Sequence, residues 1–311
     1  MAKTFEFRIT DFSGGLNTRQ SPYLIADNQA SYLRNVEIDG TDIGALKKRN
    51  GWTKLNSSAL GGSGGIFSLY RAWFSDATSI IVASSHTITT RWDGANFNNL
   101  TTGLTSEQRF SYTMFNSLMI SGNATESTKK MNSAGTESAL GGSPPNARYF
   151  ATWRNRVFAA GNVTFPNRIY VSALNNEEDW TTAGDAVTID IDKDSGDVIT
   201  GIIPQGNRLL VFKNASIYAV YFNSPQQTSV DPVTTKHGTI SGRSLVDVDG
   251  VILFLHGGGA WSRGVYALDQ NNGIKLLSEP ITPTLEESAS TSLQTACAAF
   301  YKNSYLLCVD N

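Results

Sequence analysis

Four aspartates crowd into Asp190-Ile191-Asp192-Lys193-Asp194-Ser195-Gly196-Asp197, the densest carboxylate cluster of the chain. Alternating carboxylates followed by Gly suit a calcium loop, in which oxygen ligands converge on a hard cation. The register of an EF-hand is missing. Counted from Asp190, position six is Ser195 rather than Gly, and position twelve is Gly201 rather than Glu. The segment therefore reads first as a polar hairpin turning at Asp194–Asp197, with a structural cation held by Asp190, Asp192, Asp194 and Asp197 as the weaker use. His86, His237 and His256 have no carboxylate or cysteine at metal-ligand spacing and read as turn or core histidines. His256-Gly257-Gly258-Gly259 is similar to the oxyanion loop of some lipases. The one Gly-x-Ser-x-Gly spacing, Gly61–Gly65, has no buried strand leading into it as a nucleophile elbow needs, so the histidine stretch reads as a turn after the apolar run ending at Leu255. Gly61-Gly62-Ser63-Gly64-Gly65 lacks the Lys-Ser/Thr of a phosphate loop. These residues assign no catalytic group and no cofactor.

Two cysteines, Cys297 and Cys308, are too few for a disulfide framework. They read as small buried residues of a protein made in a reducing cytoplasm, with a disulfide as the alternative. Aromatics recur at Trp73, Trp92, Tyr149, Trp153, Tyr170, Tyr218, Tyr266 and Tyr301. They suit packing between sheets, or, on one exposed face, stacking against sugars.

The elements that position these residues are strands. Charged residues are 17% of the chain, below the roughly 25% of an ordinary globular protein. Gly, Ser, Thr and Asn take their place, and Gly and Asn accept the positive φ of tight turns. The net charge of −2 gives no long-range attraction for nucleic acid, although Arg34, Lys47, Lys48 and Arg49 form a local basic group. No apolar run is long enough for a membrane-spanning helix, so no membrane insertion is expected. The first residues lack the apolar core of a signal peptide.

One pattern recurs along the chain: a polar turn residue, then a strongly apolar strand. It runs through Ser79–Ala83, Ser117–Ile120, Arg156–Ala160, Arg208–Phe212, Val251–Leu255 and Ser304–Val309. The turn residues Asn116, Asn155, Asn207, Gly250 and Asn303 are roughly 40 to 50 residues apart, the period of a four-stranded propeller blade. Such continuous apolar runs predict fully buried strands. Ile88–Gly94, Arg168–Ser172, Ser216–Val220 and Gly264–Asp269 follow as third strands. The fold expected is all-β, a β-propeller over 66–311 built from repeated antiparallel hairpins. A sandwich or jelly roll has no need of the same hairpin six times. The run after Asn303 stops at Asp310-Asn311 with no outer strands behind it, leaving a blade edge to be covered.

Residues 1–60 form a separate docking segment. Phe5, Phe7 and Ile9 alternate as in a half-buried strand. Gly14-Gly15 breaks it, Ile25–Asn35 reads as a short helix capped by Asp27, and Val36–Ile38 starts a hairpin turning at Asp39-Gly40 and returning through Gly44–Arg49. Leu60–Gly65 is the linker.

The opening Phe12-x-Gly14-Gly15-Leu16-Asn17, Pro22-x-x-Ile25, Gln29, Leu33-x-Asn35, Leu46-x-x-Arg49-x-Gly51 resembles the start of phage tail nozzle proteins, also called tail tubular protein B. Gly242–Val246 with Asp249-Gly250, and Gly264–Leu268, resemble the propeller of such proteins. The chain is much shorter than a typical member. The resemblance implies a non-enzymatic virion protein of the tail, made in the host cytoplasm and assembled as a homo-oligomeric, hexameric ring. It implies an adaptor on one side, fibre or needle proteins on the other, and DNA passing through the lumen without sequence-specific binding. Phe12, Gly14, Gly15, Gln29, Asn35, Arg49 and Gly51 are then the interface candidates. A carbohydrate-binding propeller that touches the host surface is the alternative.

Overall fold

The computed structural model describes residues 9–39, 42, 44–51, 53–56, 60, 65–258 and 262–309. The Phe5/Phe7 alternation, Gly40 of the expected turn, Gly61–Gly64, Gly259 and Asp310-Asn311 lie outside the described residues.

Among its described residues the docking segment has four short strands. β1 (Gly15–Leu16) pairs in parallel with β2 (Gln29–Ala30), and β3 (Val36–Ile38) pairs antiparallel with β4 (Leu46–Lys48). The expected hairpin is present; the expected helix over Ile25–Asn35 is not. Gln29 and Ala30 instead bond to the strand after the Gly-Gly break, and Asn35 takes a left-handed φ of 57° that ends any helical run. Pairing with Gly15-Leu16 outweighs a helix propensity that a short polar segment can express only weakly.

Five antiparallel four-stranded sheets follow, each a simple meander, in a five-bladed β-propeller arrangement. Blade one is β5 (Ile66–Trp73), β6 (Ser79–Ser85), β7 (Ile88–Trp92) and β8 (Phe97–Thr101). Blade two is β9 (Ser111–Phe115), β10 (Leu118–Gly122), β11 (Lys129–Met131) and β12 (Glu137–Ala139). Blade three is β13 (Tyr149–Trp153), β14 (Arg156–Ala160), β15 (Arg168–Val171) and β16 (Val187–Asp190). Blade four is β17 (Ile199–Gln205), β18 (Arg208–Lys213), β19 (Ile217–Ser224) and β20 (Gln227–Thr234). Blade five is β21 (Val246–Val248), β22 (Val251–His256), β23 (Gly264–Leu268) and β24 (Ile274–Leu276). Two short helices, α1 (Thr282–Glu286) and α2 (Ser290–Gln294), lead to a final hairpin of β25 (Cys297–Tyr301) and β26 (Ser304–Cys308).

The turn residues do what the repeat predicts. Asn116-Ser117, Arg154-Asn155, Asp249-Gly250 and Lys302-Asn303 all have positive φ at both positions, as two-residue turns matching the strand twist require. Between β17 and β18 that role falls to Gly206 rather than Asn207. The apolar runs form the second strand of each blade, and β14 and β18 are buried at every residue. The third strands fall where expected, as β7, β15, β19 and β23.

Among the described residues each apolar cluster joins neighbouring units. One apolar cluster joins blades one and two around Val82 and Met119; another joins two and three around Ile120 and Phe150. Phe158 and Phe222, edge to face with centroids 5.6 Å apart, centre the core between blades three and four. Phe212 and Phe254 do the same for four and five. Leu255 and Val265 of blade five pack against Leu293 of α2 and against Tyr305 and Leu307 of the last hairpin.

The expectation of a buried strand fails at β26. Tyr305 and Leu307 face blade five, but Leu306 on the opposite face is exposed. Among the described residues no apolar cluster joins this hairpin to blade one. Cys297 and Cys308 are likewise not buried: both thiols are exposed, on residues directly opposite each other in the β25–β26 ladder.

Candidate functional site

Three regions carry the residues singled out above. The aspartate segment is not a hairpin turn. It connects β16 of blade three to β17 of blade four, which belong to different sheets. Its carboxylates diverge onto protein donors. Asp190 takes two hydrogen bonds from the Arg168 guanidinium, at 2.7 and 3.0 Å, and these hold its carboxyl below the ordinary range. Asp192 accepts the Tyr218 hydroxyl at 2.6 Å, which lowers it in the same way. Asp197 caps the β18–β19 turn through the backbone N–H groups of Asn214 and Ala215, each at 3.0 Å. Asp194 is exposed.

The cation of this loop is Lys213. Its side chain is fully buried, and Nζ donates to the Asp192 carbonyl at 2.9 Å and to Ser195 Oγ at 3.0 Å. The ammonium also lies 5.6 Å from the Tyr218 ring centroid. Burial pulls the Lys213 pKa down, and Asp192 and Asp197 work against that. Among the described residues no group of three or more His, Cys, Asp or Glu could hold a metal ion. His256 is buried and shares its Nδ1 with the Gly238 carbonyl at 2.8 Å, packed beside His237 and Tyr266.

The docking segment is the second region, and it draws several interface candidates together. Gly14 donates its N–H to the Asn28 carbonyl at 3.0 Å, and a Cβ there would lie 2.6 Å from Gln29 Cγ. Gly15 has φ +66°. Gln29 Oε1 accepts Asn17 Nδ2 at 2.8 Å, while Asn17 Oδ1 caps the Arg19 N–H. Phe12 is half-buried and ties its N–H to Gly44; Arg49 bonds to the Asn35 carbonyl through its backbone. Gly51 has open space around it. These residues thus shape the segment from within.

Its outer surface belongs to side chains that sequence reasoning passed over: Tyr23, Leu24 and Tyr32, with 95%, 75% and 71% exposure. Their local signal was weak, because no period marks them. The segment is clamped to the propeller just after blade five. The Thr18 and Arg19 N–H groups reach the Pro280 carbonyl, Thr18 Oγ1 meets Thr284 Oγ1 at 3.0 Å, and Arg19 pairs with Glu279.

The third region is the axial cavity of about 760 Å³, lined by the first strand of almost every unit. Phe67 and Tyr70 come from β5, Tyr112 from β9, Tyr149 from β13, Ile202 from β17 and Cys297 from β25. Arg243 enters it from the 3-10 turn Gly242–Ser244 that leads to β21. Its Nη2 donates to the Arg109 carbonyl at 2.7 Å. The Arg109 guanidinium lies over the Phe67 ring, 5.7 Å from its centroid. Burial lowers the Arg243 pKa to about 10, with the positive charges of Arg109 and Arg148 adding to the shift and Tyr149 and Tyr112 opposing it. It remains a cation at neutral pH. Of the aromatics marked for sugar stacking, Tyr149, Trp153, Tyr218 and Tyr266 pack between blades, whereas Trp73 and Tyr301 are exposed.

No protein-family model matches the chain, and no curated protein matches it. Solved structures do. The computationally designed Ika8 protein is 15% identical, with 67% of this chain and 59% of that chain covered and a TM-score of 0.42. The extracellular domain of the one component system BT4673 from B. thetaiotaomicron is 11% identical, with 70% and 34% covered and a TM-score of 0.40. BBS1N in complex with ARL6DN is 10% identical, with 78% and 75% covered and a TM-score of 0.48. The chain thus spans less than two thirds of the first two. At such identities the likeness concerns fold alone.

Proposed function

We propose that this chain is a non-catalytic structural subunit of a bacteriophage tail, of the nozzle type. In this reading it assembles as a homo-oligomeric ring between an adaptor and the distal fibre or needle proteins, and DNA passes through the ring lumen. The observation that carries the reading is the docking segment. The residues that resemble the nozzle opening, Gly14, Gly15, Asn17 and Gln29, build one small unit by direct contact. That unit is fixed to the propeller and turns Tyr23, Leu24 and Tyr32 outward. Exposed aromatic and aliphatic side chains on a rigid base are the composition of an interface core. The low charge of the chain also suits a wet, many-partner assembly.

The test is the oligomeric state of the purified protein by analytical ultracentrifugation, with rotational symmetry by electron microscopy. The reading expects a closed ring, and a monomeric, folded product from the triple variant Tyr23→Ser, Leu24→Ser, Tyr32→Ser. A wild-type protein that stays monomeric at high concentration, and is absent from purified virions, would sink it.

A further inference from the structure

The axial cavity has one basic mouth. Every blade begins at the axis, and its first strand runs the same way as its neighbours' first strands. Residues just ahead of those strands therefore gather at one end. Arg109 precedes β9 by two residues, Arg148 immediately precedes β13, and Arg243 sits in the turn ahead of β21. Direct contact joins two of them: Arg243, which lines the cavity, donates to the Arg109 carbonyl, and the Arg109 guanidinium lies over the cavity-lining Phe67 ring. Arg148 is exposed and adjoins Tyr149 of the cavity wall, where a Cβ on Gly242 would lie 2.9 Å from Tyr149 Cε1.

Among the described residues none of these arginines has a carboxylate partner. Arg109 and Arg148 act on Arg243 as like charges, with Tyr149 and Tyr112 opposing them. A largely enclosed guanidinium beside two like charges is unfavourable unless an anion completes it. The chain as a whole is slightly acidic, so this local excess is not a general property of the surface. The remaining wall of the cavity is mostly apolar: the aromatics Phe67, Tyr70, Tyr112 and Tyr149, with Tyr70 stacked on Tyr112 at 5.1 Å, stand beside aliphatic residues such as Ile202 and Leu306. Its volume is that of a small-molecule site.

We propose that this mouth binds a phosphate monoester, with the dianionic phosphate held by Arg243, Arg109 and Arg148 and an apolar or aromatic remainder against Phe67, Tyr70 and Tyr112. Guanidinium forks match phosphate oxygens in pairs, and a dianion answers three cations better than a monocarboxylate does. The site stands apart from the tail reading and does not depend on it.

The probe is phenyl phosphate, titrated by isothermal calorimetry into the full chain at low salt, with phenol as the uncharged control. Saturable binding of phenyl phosphate and none of phenol is expected. Arg243→Met should weaken binding by about tenfold or more, the loss of charged hydrogen bonds. Arg148→Ala, at an exposed position, should weaken it several-fold with an unchanged melting temperature, so the test survives if Arg243→Met fails to fold. Absence of saturable phenyl phosphate binding, equal binding of phenol, or binding that Arg148→Ala leaves unchanged would overturn the proposal.

Discussion

Lys213 is the sharpest test of how the blade-three to blade-four connection is held. Lys213→Met keeps the shape of the side chain and removes the ammonium. Two hydrogen bonds from a charged group are lost, to the Asp192 carbonyl and to Ser195 Oγ. Such bonds contribute about 1.5–3 kcal/mol each. Against that, the variant no longer buries a charge, which relieves a desolvation cost of several kcal/mol. Ser195 Oγ still donates to the Asp192 carbonyl at 2.8 Å, so no carbonyl is orphaned. The net expectation is a loss of about 2 kcal/mol in urea denaturation at pH 7, followed by tryptophan fluorescence. The pH dependence gives a second readout. Burial holds Lys213 below its ordinary 10.5, with Asp192 and Asp197 opposing. Between that lowered value and 10.5 the unfolded chain binds more protons than the folded one, so the stability owed to this group rises with pH. The tyrosines are common to both proteins and cancel. The gap between wild type and variant should therefore widen as pH rises toward 10.5. A variant within about 0.5 kcal/mol of wild type at pH 7, or a gap that narrows at alkaline pH, would refute this account of the loop.

His237 and His256 are both held below 6.5, chiefly by burial, so the fold keeps them neutral where the unfolded chain takes up protons. Their contribution is present above pH 6.5 and is lost as pH falls below it; the melting temperature should drop between pH 6.5 and 5, and His256→Asn should flatten that drop. Gly142 has φ +73° and a Cβ there would overlap the Glu178 carbonyl oxygen, whereas Gly103 has φ +75° with open space. Gly142→Ala should cost about 3 kcal/mol or more and Gly103→Ala about 1 kcal/mol by thermal denaturation, and equal costs would remove the clash from the argument. Oxidised glutathione should convert Cys297 and Cys308 to one intramolecular disulfide, releasing two glutathione thiols per chain, because the residues are direct cross-strand partners. Closing that short loop is worth at most about 3 kcal/mol, and a thiol titration that still finds both groups after oxidation would contradict the exposed geometry.

The fold was legible because it is repeated. Each apolar run and each Asn or Gly turn is a weak signal alone, but their recurrence at roughly 40 to 50 residues marks four-stranded blades. The helix over Ile25–Asn35 was misread because Ala30 and Leu33 mimic a helical face, while the partner that captures Gln29 and Ala30 lies at Gly15-Leu16. The aspartates were misread as a hairpin for a related reason. Their partners Arg168, Lys213 and Tyr218 lie in β15, β18 and β19, and Lys213 ends an apolar run that gives no hint of a buried ammonium. The basic mouth was invisible for the same cause. Arg109, Arg148 and Arg243 are far apart in sequence, and only the common direction of the first strands unites them.

Neighbour-only packing has one further consequence. In a repeat architecture each unit is stabilised by the faces it shares, so a unit with one face bare carries its apolar side chains into solvent. Blade one shows this on β5, where Tyr70 and Ala72 enter the core with blade two while Leu69 and Trp73 point outward. The last hairpin shows it on β25 and β26, where Ala299 and Leu306 share the face opposite Tyr305 and Leu307. Both bare faces border the cavity, through Leu69 on one side and Ala299 and Leu306 on the other. The docking segment touches neither of them through any contact found among the described residues; it braces the chain at Glu279–Thr284, where α1 begins. Its clamp therefore holds the stretch that enters α1, and the Leu255–Leu307 core restrains the side of the hairpin that faces blade five. The exposed face of β26 is left as the least supported part of the propeller, and the cysteine pair sits on it.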